Sequence, residues 1–211
     1  MRRAHLFVAT LFIACTASPA GRTASASEAL VPTRTVTGAT VTSMADPPLR
    51  IDVAPRFTYA GAQRFLLRGA VDAEQHLFVE ADGAKAVQRM YWIQFEQFIP
   101  ERAGSYDYDS DAPLTANGLP LRISTRRIIE PPAADSDRKQ AYTLLERAGY
   151  TVPTPATRVR LIYLPTPDRR QEVMIIYLEA ADTSAALTQE ESEALLARAL
   201  GGLTLRFSAS P

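Results

Sequence analysis

The stretch Val173-Met174-Ile175-Ile176-Tyr177-Leu178 is apolar at every position, and residues 86–99 are apolar on both alternating sides. In the second run Met90, Trp92 and Phe98 fall on one side, and Tyr91, Ile93, Phe95 and Ile99 on the other. Successive side chains of a strand point to opposite faces. A strand apolar on both faces must be covered on both. The chain is therefore expected to build a sheet with these two strands at its centre. Pro100 stops the longer one.

Turn signals place the neighbours. Asp82-Gly83 is a two-residue hairpin signal that joins residues 74–81 to 86–99. Pro165-Thr166-Pro167-Asp168 separates the arms of a second hairpin, 158–164 and 172–180. Residues 49–53, 57–60, 63–71, 119–129 and 203–207 supply further strand candidates, and 101–118 read as an irregular polar excursion. Asp135 or Ser136 caps a helix with the stripe Ala141, Leu144, Leu145 and Ala148, and Gly149 ends it. Thr188-Gln189-Glu190-Glu191 is a capping box before a helix carrying Leu195, Leu196, Ala199 and Leu200. The expected class is α+β: a mostly antiparallel sheet with two amphipathic helices packed on one face. The other face is left for more sheet, a partner or a ligand. This layout resembles helix-grip and PsbP-like αβ-sandwich arrangements. That likeness carries no motif and implies no function.

The N-terminus reads as an export signal. Arg2 and Arg3 precede an apolar run from Ala4 to Ala14, followed by small residues. The run is shorter than the ~20 residues needed to span a bilayer. Phe12-Ile13-Ala14-Cys15 resembles a bacterial lipobox, which would place a lipid on Cys15 and the cut just before it. Ser18-Pro19-Ala20 and Ala24-Ser25-Ala26 equally fit an ordinary signal-peptidase cut. The expected organisation is a signal peptide over 1–20, a Ser/Thr/Ala-rich flexible tether over 21–48, and one α+β domain over 49–208.

Cys15 is the single cysteine, so the domain has no disulfide, thiolate metal site or cysteine nucleophile. Stability must come from apolar burial, for which 46% hydrophobic residues suffice. The formal charge is zero and no basic stripe occurs, which argues against nucleic acid as a partner. No phosphate loop, dinucleotide fingerprint or Gly-x-Ser-x-Gly is present, and no cofactor or metal is expected. His76 is the one histidine of the domain and reads as an ordinary sheet residue. Asp107, Asp109 and Asp111 alternate as calcium ligands do, but Ala112 and Gly118 stand where an EF-hand loop has Gly and Glu. Glu96 and Gln94 share a side with Trp92, and Glu179 shares one with Tyr177. Carboxylates in such strands must be paired, protonated or open to water. Salt bridges to Arg89, Arg122, Arg160 or Arg206 are the ordinary solution. Trp92, Phe95, Phe98, Tyr163 and Tyr177 are core residues or the lining of an apolar pocket.

The leading expectation is an exported cell-envelope module without catalytic residues, anchored to the membrane only through a lipid at Cys15 if at all. It would bind an envelope protein or an apolar ligand through the sheet. The alternative is a periplasmic acid/base hydrolase using Glu96 and Glu179. A purely structural accessory subunit is a third.

Overall fold

The computed structural model describes residues 30–44 and 47–207. Cys15 and the proposed processing sites lie outside them. Eleven strands and two helices follow in the order β1 Thr35–Thr37, β2 Thr40–Ser43, β3 Leu49–Val53, β4 Thr58–Leu67, β5 Val71–Ala81, β6 Val87–Phe98, β7 Ala112–Ala116, β8 Leu119–Ile128, α1 Asp137–Arg147, β9 Ala156–Tyr163, β10 Gln171–Ala180, α2 Gln189–Gly201 and β11 Leu203–Phe207. They form a seven-stranded sheet, β4-β5-β6-β10-β9-β8-β7, and a four-stranded sheet, β1-β2-β3-β11. Every named pairing is antiparallel. The fold is thus α+β in the broad sense, dominated by sheet, with neither sheet closed into a barrel.

β6 and β10 lie at the centre of the large sheet, where strands apolar on both faces belong. On one face Phe78, Tyr91, Ile93, Phe95, Val159, Leu161, Ile175 and Tyr177 meet Val41, Leu49, Ile51, Val53, Leu203 and Leu205 of the small sheet. Leu195 and Ala199 of α2 belong to the same core. On the opposite face Leu77, Val79, Met90, Trp92, Ile162, Met174, Ile176 and Leu178 meet Ala141, Tyr142 and Leu145 of α1. Each of these large buried side chains contributes ~1.5–3 kcal/mol of burial.

Three expectations need correction. The helices do not share a face: α1 covers one side, while α2 and the small sheet close the other. Thr35–Ser43, inside the stretch read as a tether, is the β1–β2 hairpin, which turns at Gly38 with φ of 59° and buries Val41 completely. Ala112–Ala116, inside the polar excursion, pairs with β8 around Asn117-Gly118, whose φ values of 53° and 79° suit a two-residue hairpin turn. The caps fall as expected. Ser136 accepts from the Lys139 N–H, and the Thr188–Glu191 capping box is complete. Among the described residues no helix is long and apolar enough to cross a membrane.

The segment before β1 is clasped by Glu74. Its carboxylate accepts from the Thr33 N–H and hydroxyl at 2.8 Å each, from the Arg34 N–H at 2.8 Å and from the Arg34 guanidinium at 3.1 Å. His76 Nε2 lies 2.9 Å from the same carboxylate, and Tyr59 stacks beside the imidazole. Burial disfavours ionisation of Glu74, but His76 and the Thr33 and Arg34 donors outweigh it and hold the carboxyl well below the usual carboxylate range. The clasp therefore stabilises fully above the unfolded-state pKa of ~4.3, and its contribution is lost as pH falls toward the folded-state value. Glu74→Gln should lower stability by about 2 kcal/mol at pH 7. In urea unfolding its gap to wild type should close as the pH is lowered below about 4.

Candidate functional site

The α1 face of the large sheet carries a row of polar side chains through an otherwise apolar layer. Gln63 donates to Gln75 at 2.8 Å, and Gln75 donates to Gln94 at 2.6 Å. These residues sit opposite one another on β4, β5 and β6, so the row follows directly from the register. Gln75 also donates to the Asp137 carbonyl at 3.0 Å, which ties the start of α1 to the sheet. The Trp92 indole donates to Gln94 at 2.8 Å. Gln94 in turn donates to Glu96, and the Tyr106 hydroxyl donates to the other oxygen of Glu96 at 2.9 Å.

Register also decides the partner of Glu96. The β6–β10 pairing sets Glu96 directly opposite Glu172, so both side chains project from the α1 face. Glu179 lies an odd number of positions beyond Glu172 and therefore points to the other face. There its two oxygens accept from Arg198 Nε and Nη2 at 2.9 Å each, and it lies 3.3 Å from Arg89. The expected Glu96–Glu179 pair does not share a cleft. Glu179 is the ion-paired carboxylate of the ordinary solution, with its pKa kept low by Arg198 and Tyr177 despite burial.

Glu96 and Glu172 are only 8% and 2% exposed. Directly opposed strand residues have Cβ atoms ~5 Å apart, and neither acid forms an ion pair with an arginine among the described residues. Burial raises the pKa of both, and the proximity of Glu96 adds to the effect on Glu172, which is pushed up to about 8. The pair therefore retains a proton at neutral pH. Asp137, at the first position of α1, is also raised by burial.

The roof over this pair is the 101–111 loop. Tyr106 and Tyr108 stack at 6.4 Å, and Phe98 packs on Tyr106 at 5.0 Å. Gly104, with φ of 157°, lies so close to the Phe98 ring that a Cβ there would overlap it. Arginines hold the loop down. Arg170 donates to the carbonyls of Ile99, Arg102 and Gly104 at 3.1, 2.9 and 3.2 Å. Asp111 pairs with Arg160 at 2.7 Å, while Asp109 pairs with Arg169 at 3.1 Å and Arg122 at 3.5 Å. Asp107 lies 3.9 Å from Arg169. The three alternating aspartates thus face guanidinium groups, Asp107 and Asp109 sharing Arg169. Among the described residues no His/Cys/Asp/Glu cluster is arranged to hold a metal ion.

Two adjoining cavities open on this face. The first, about 340 Å³, is lined by Glu96, Glu172, Phe98, Tyr106, Tyr108 and Met174 among others. The second, about 250 Å³, has a floor of Trp92, Ile128, Met174, Ile176 and Leu178 and a rim of Arg126, Arg138, Arg158 and Arg160. Asp137, Arg160 and Met174 line both. Ser124 Oγ, Arg158 Nε, Arg160 Nε and Glu172 Oε2 are buried without a hydrogen-bond partner, and all four residues project from this face. The expected aromatic set is divided. Phe95 and Tyr177 are core on the small-sheet side, Tyr163 packs against it, and Trp92 and Phe98 belong to the α1 side.

The sequence pattern points to Glu96, Gln94 and Arg160, but not to Glu172, Asp137, Arg126 or Arg158 as members of the site. The alternation from Glu172 through Met174 to Leu178 was readable. The pairing of β10 with β6, which makes Glu172 the neighbour of Glu96, was not.

The chain matches no family model, no curated protein and no solved structure with which it was compared.

An acid whose folded-state pKa is raised stabilises below its unfolded value and loses that contribution as pH rises through the folded value. Wild type should therefore lose stability between about pH 4.5 and pH 8 at this site. Glu172→Gln should be more stable than wild type at pH 8, by on the order of 1 kcal/mol or more. Its infrared spectrum at pH 7 should lack a protonated-carboxyl band that wild type shows.

Proposed function

We propose that this chain is an exported cell-envelope binding domain that takes a small, largely apolar ligand in the cleft on the α1 face. The observation that carries the reading is the convergence of unpartnered buried atoms on Ser124, Arg158, Arg160 and Glu172 beside the two cavities. Buried polar groups without partners are uncommon in folded proteins, and a concave apolar pocket with a few convergent polar groups is the usual form of a ligand site. Export, with or without a lipid on Cys15, is the part of the proposal that rests on the N-terminal signal alone. For layout, the PsbP-like αβ-sandwich is preferred to the helix-grip kind, because helices lie on both faces of the sheet.

A second reading is a carboxylate-based hydrolase, favoured by the opposed Glu96 and Glu172 with their raised pKa values. Acid/base chemistry needs one protonated and one ionised group in reach of a single bond. Glu172 takes the place that Glu179 was expected to fill. Under this reading Glu172→Gln abolishes turnover of a chromogenic ester or glycoside that wild type hydrolyses.

Trp92 is the only tryptophan, is 1% exposed and forms part of the cavity floor, so its emission reports directly on the cleft. The neutral dye N-phenyl-1-naphthylamine should quench Trp92 emission and saturate at one equivalent. Met174→Trp, which fills the junction of the two cavities, should remove saturable dye fluorescence while circular dichroism stays native. Dye fluorescence that never saturates with wild type would refute the binding reading.

A further inference from the structure

The arginine rim of the second cavity is not arranged as a surface ion-pair network. Arg126 and Arg158 sit directly opposite one another on β8 and β9, and Arg160 is two residues along the same face. Like charges opposed across a strand pair are destabilising. Several arginines elsewhere on the molecule are matched to carboxylates: Arg64 pairs with Asp72, Arg50 with Asp52, and Arg198 with Glu179. Arg160 is matched too, since Asp111 takes its guanidinium at 2.7 Å and its plane lies 4.9 Å from the Tyr108 ring centre. Arg126 and Arg158 are not: among the described residues neither forms an ion pair. The Arg138 guanidinium donates to the Pro131 carbonyl at 2.9 Å and forms no ion pair among the described residues.

The guanidinium of Arg158 is half-buried, and its Nε has no acceptor. Burial, then the charges of Arg126 and Arg160, push its pKa down to about 9, and the attraction of Asp111 and Asp137 does not offset them. It remains a cation at neutral pH in a place where a cation is disfavoured. The floor beneath it is Trp92, Ile128, Met174, Ile176 and Leu178, wholly apolar. The Ser124 hydroxyl, opposite Arg160 on β8, is buried without a partner on the same face. Two unmatched guanidinium groups and a free hydroxyl at one end of an apolar trough form a head-group site with a tail site attached.

We infer that the ligand of this cleft is an amphiphilic anion, an acyl chain or similar apolar body ending in a carboxylate or phosphate, with its head on Arg126 and Arg158 and its tail along Trp92, Met174 and Ile176. This rests on the binding reading given above and assigns the ligand's chemical class. Glu96 and Glu172 lie beyond Met174 in the adjoining cavity, where a neutral tail passes a proton-sharing pair more easily than a second charge would.

The test uses displacement of N-phenyl-1-naphthylamine from the full chain by four competitors: octanoate, octanol, octylamine and inorganic phosphate. Octanoate should displace the dye at least tenfold more effectively than octanol, and octylamine and phosphate should be weaker still. Arg126→Gln, an exposed substitution that leaves the core untouched, should weaken octanoate about tenfold and leave octanol unchanged. Arg158→Met should do the same, and Arg158→Lys should retain part of the preference. Equal displacement by octanoate, octanol and octylamine would overturn the anion assignment while leaving the binding reading intact. Displacement by phosphate as effective as by octanoate would overturn the tail. Absence of saturable dye binding would overturn the binding reading itself.

Discussion

Two central strands that are apolar on both faces impose the condition from which this architecture follows. A sheet built around β6 and β10 is unstable until each face is covered. The chain meets this differently on the two sides. The four-stranded sheet and α2 close one face as a sandwich whose core runs from Val41 to Leu205. On the other face a single eleven-residue helix docks over β4 and β5. The β8–β10 half is roofed by loops, and that incomplete cover leaves the cleft.

The polar row on the α1 face is the second consequence of this unequal cover. Gln63, Gln75, Gln94 and Glu96 would be unfavourable in a dry layer, yet each is bonded to the next. Their regularity comes from the antiparallel register, which places like positions of successive strands side by side. The same register produces both like-charged juxtapositions, Glu96 with Glu172 and Arg126 with Arg158. The acids relieve theirs by keeping a proton. The arginines have no such recourse at neutral pH, so the two ends of the cleft differ in what they demand from a ligand.

Local patterns carried the elements well. Residues 86–99 and 172–180 announced central strands because their apolar character has no gaps, and Thr188 with Glu191 announced a helix start because the cap is chemically specific. The β1–β2 hairpin was hidden because it is nearly all Thr and Val with only Val41 and Ser43 deeply buried, so composition alone resembles a linker. β7 was hidden by its polar surroundings, although Asn117-Gly118 is a hairpin signal. Placing the helices on opposite faces depended on how the sheets stack, which no local period encodes. The candidate site was legible only in part for the same reason. Alternation tells which side of its own strand Glu96 or Glu179 occupies. Which carboxylate meets which is decided by long-range pairing, and that pairing joined Glu96 to Glu172.

The contact between Gly104 and Phe98 separates the two ends of the cleft in evolutionary terms. Any side chain at 104 would lift the roof over the acid-lined cavity, since the ring leaves no room for a Cβ. Arg126 and Arg158 belong to β8 and β9 and would not move with it. Clearance at one end can therefore drift through a single loop position while head-group recognition stays constant. A lineage could exchange the body of its ligand without relearning its charge.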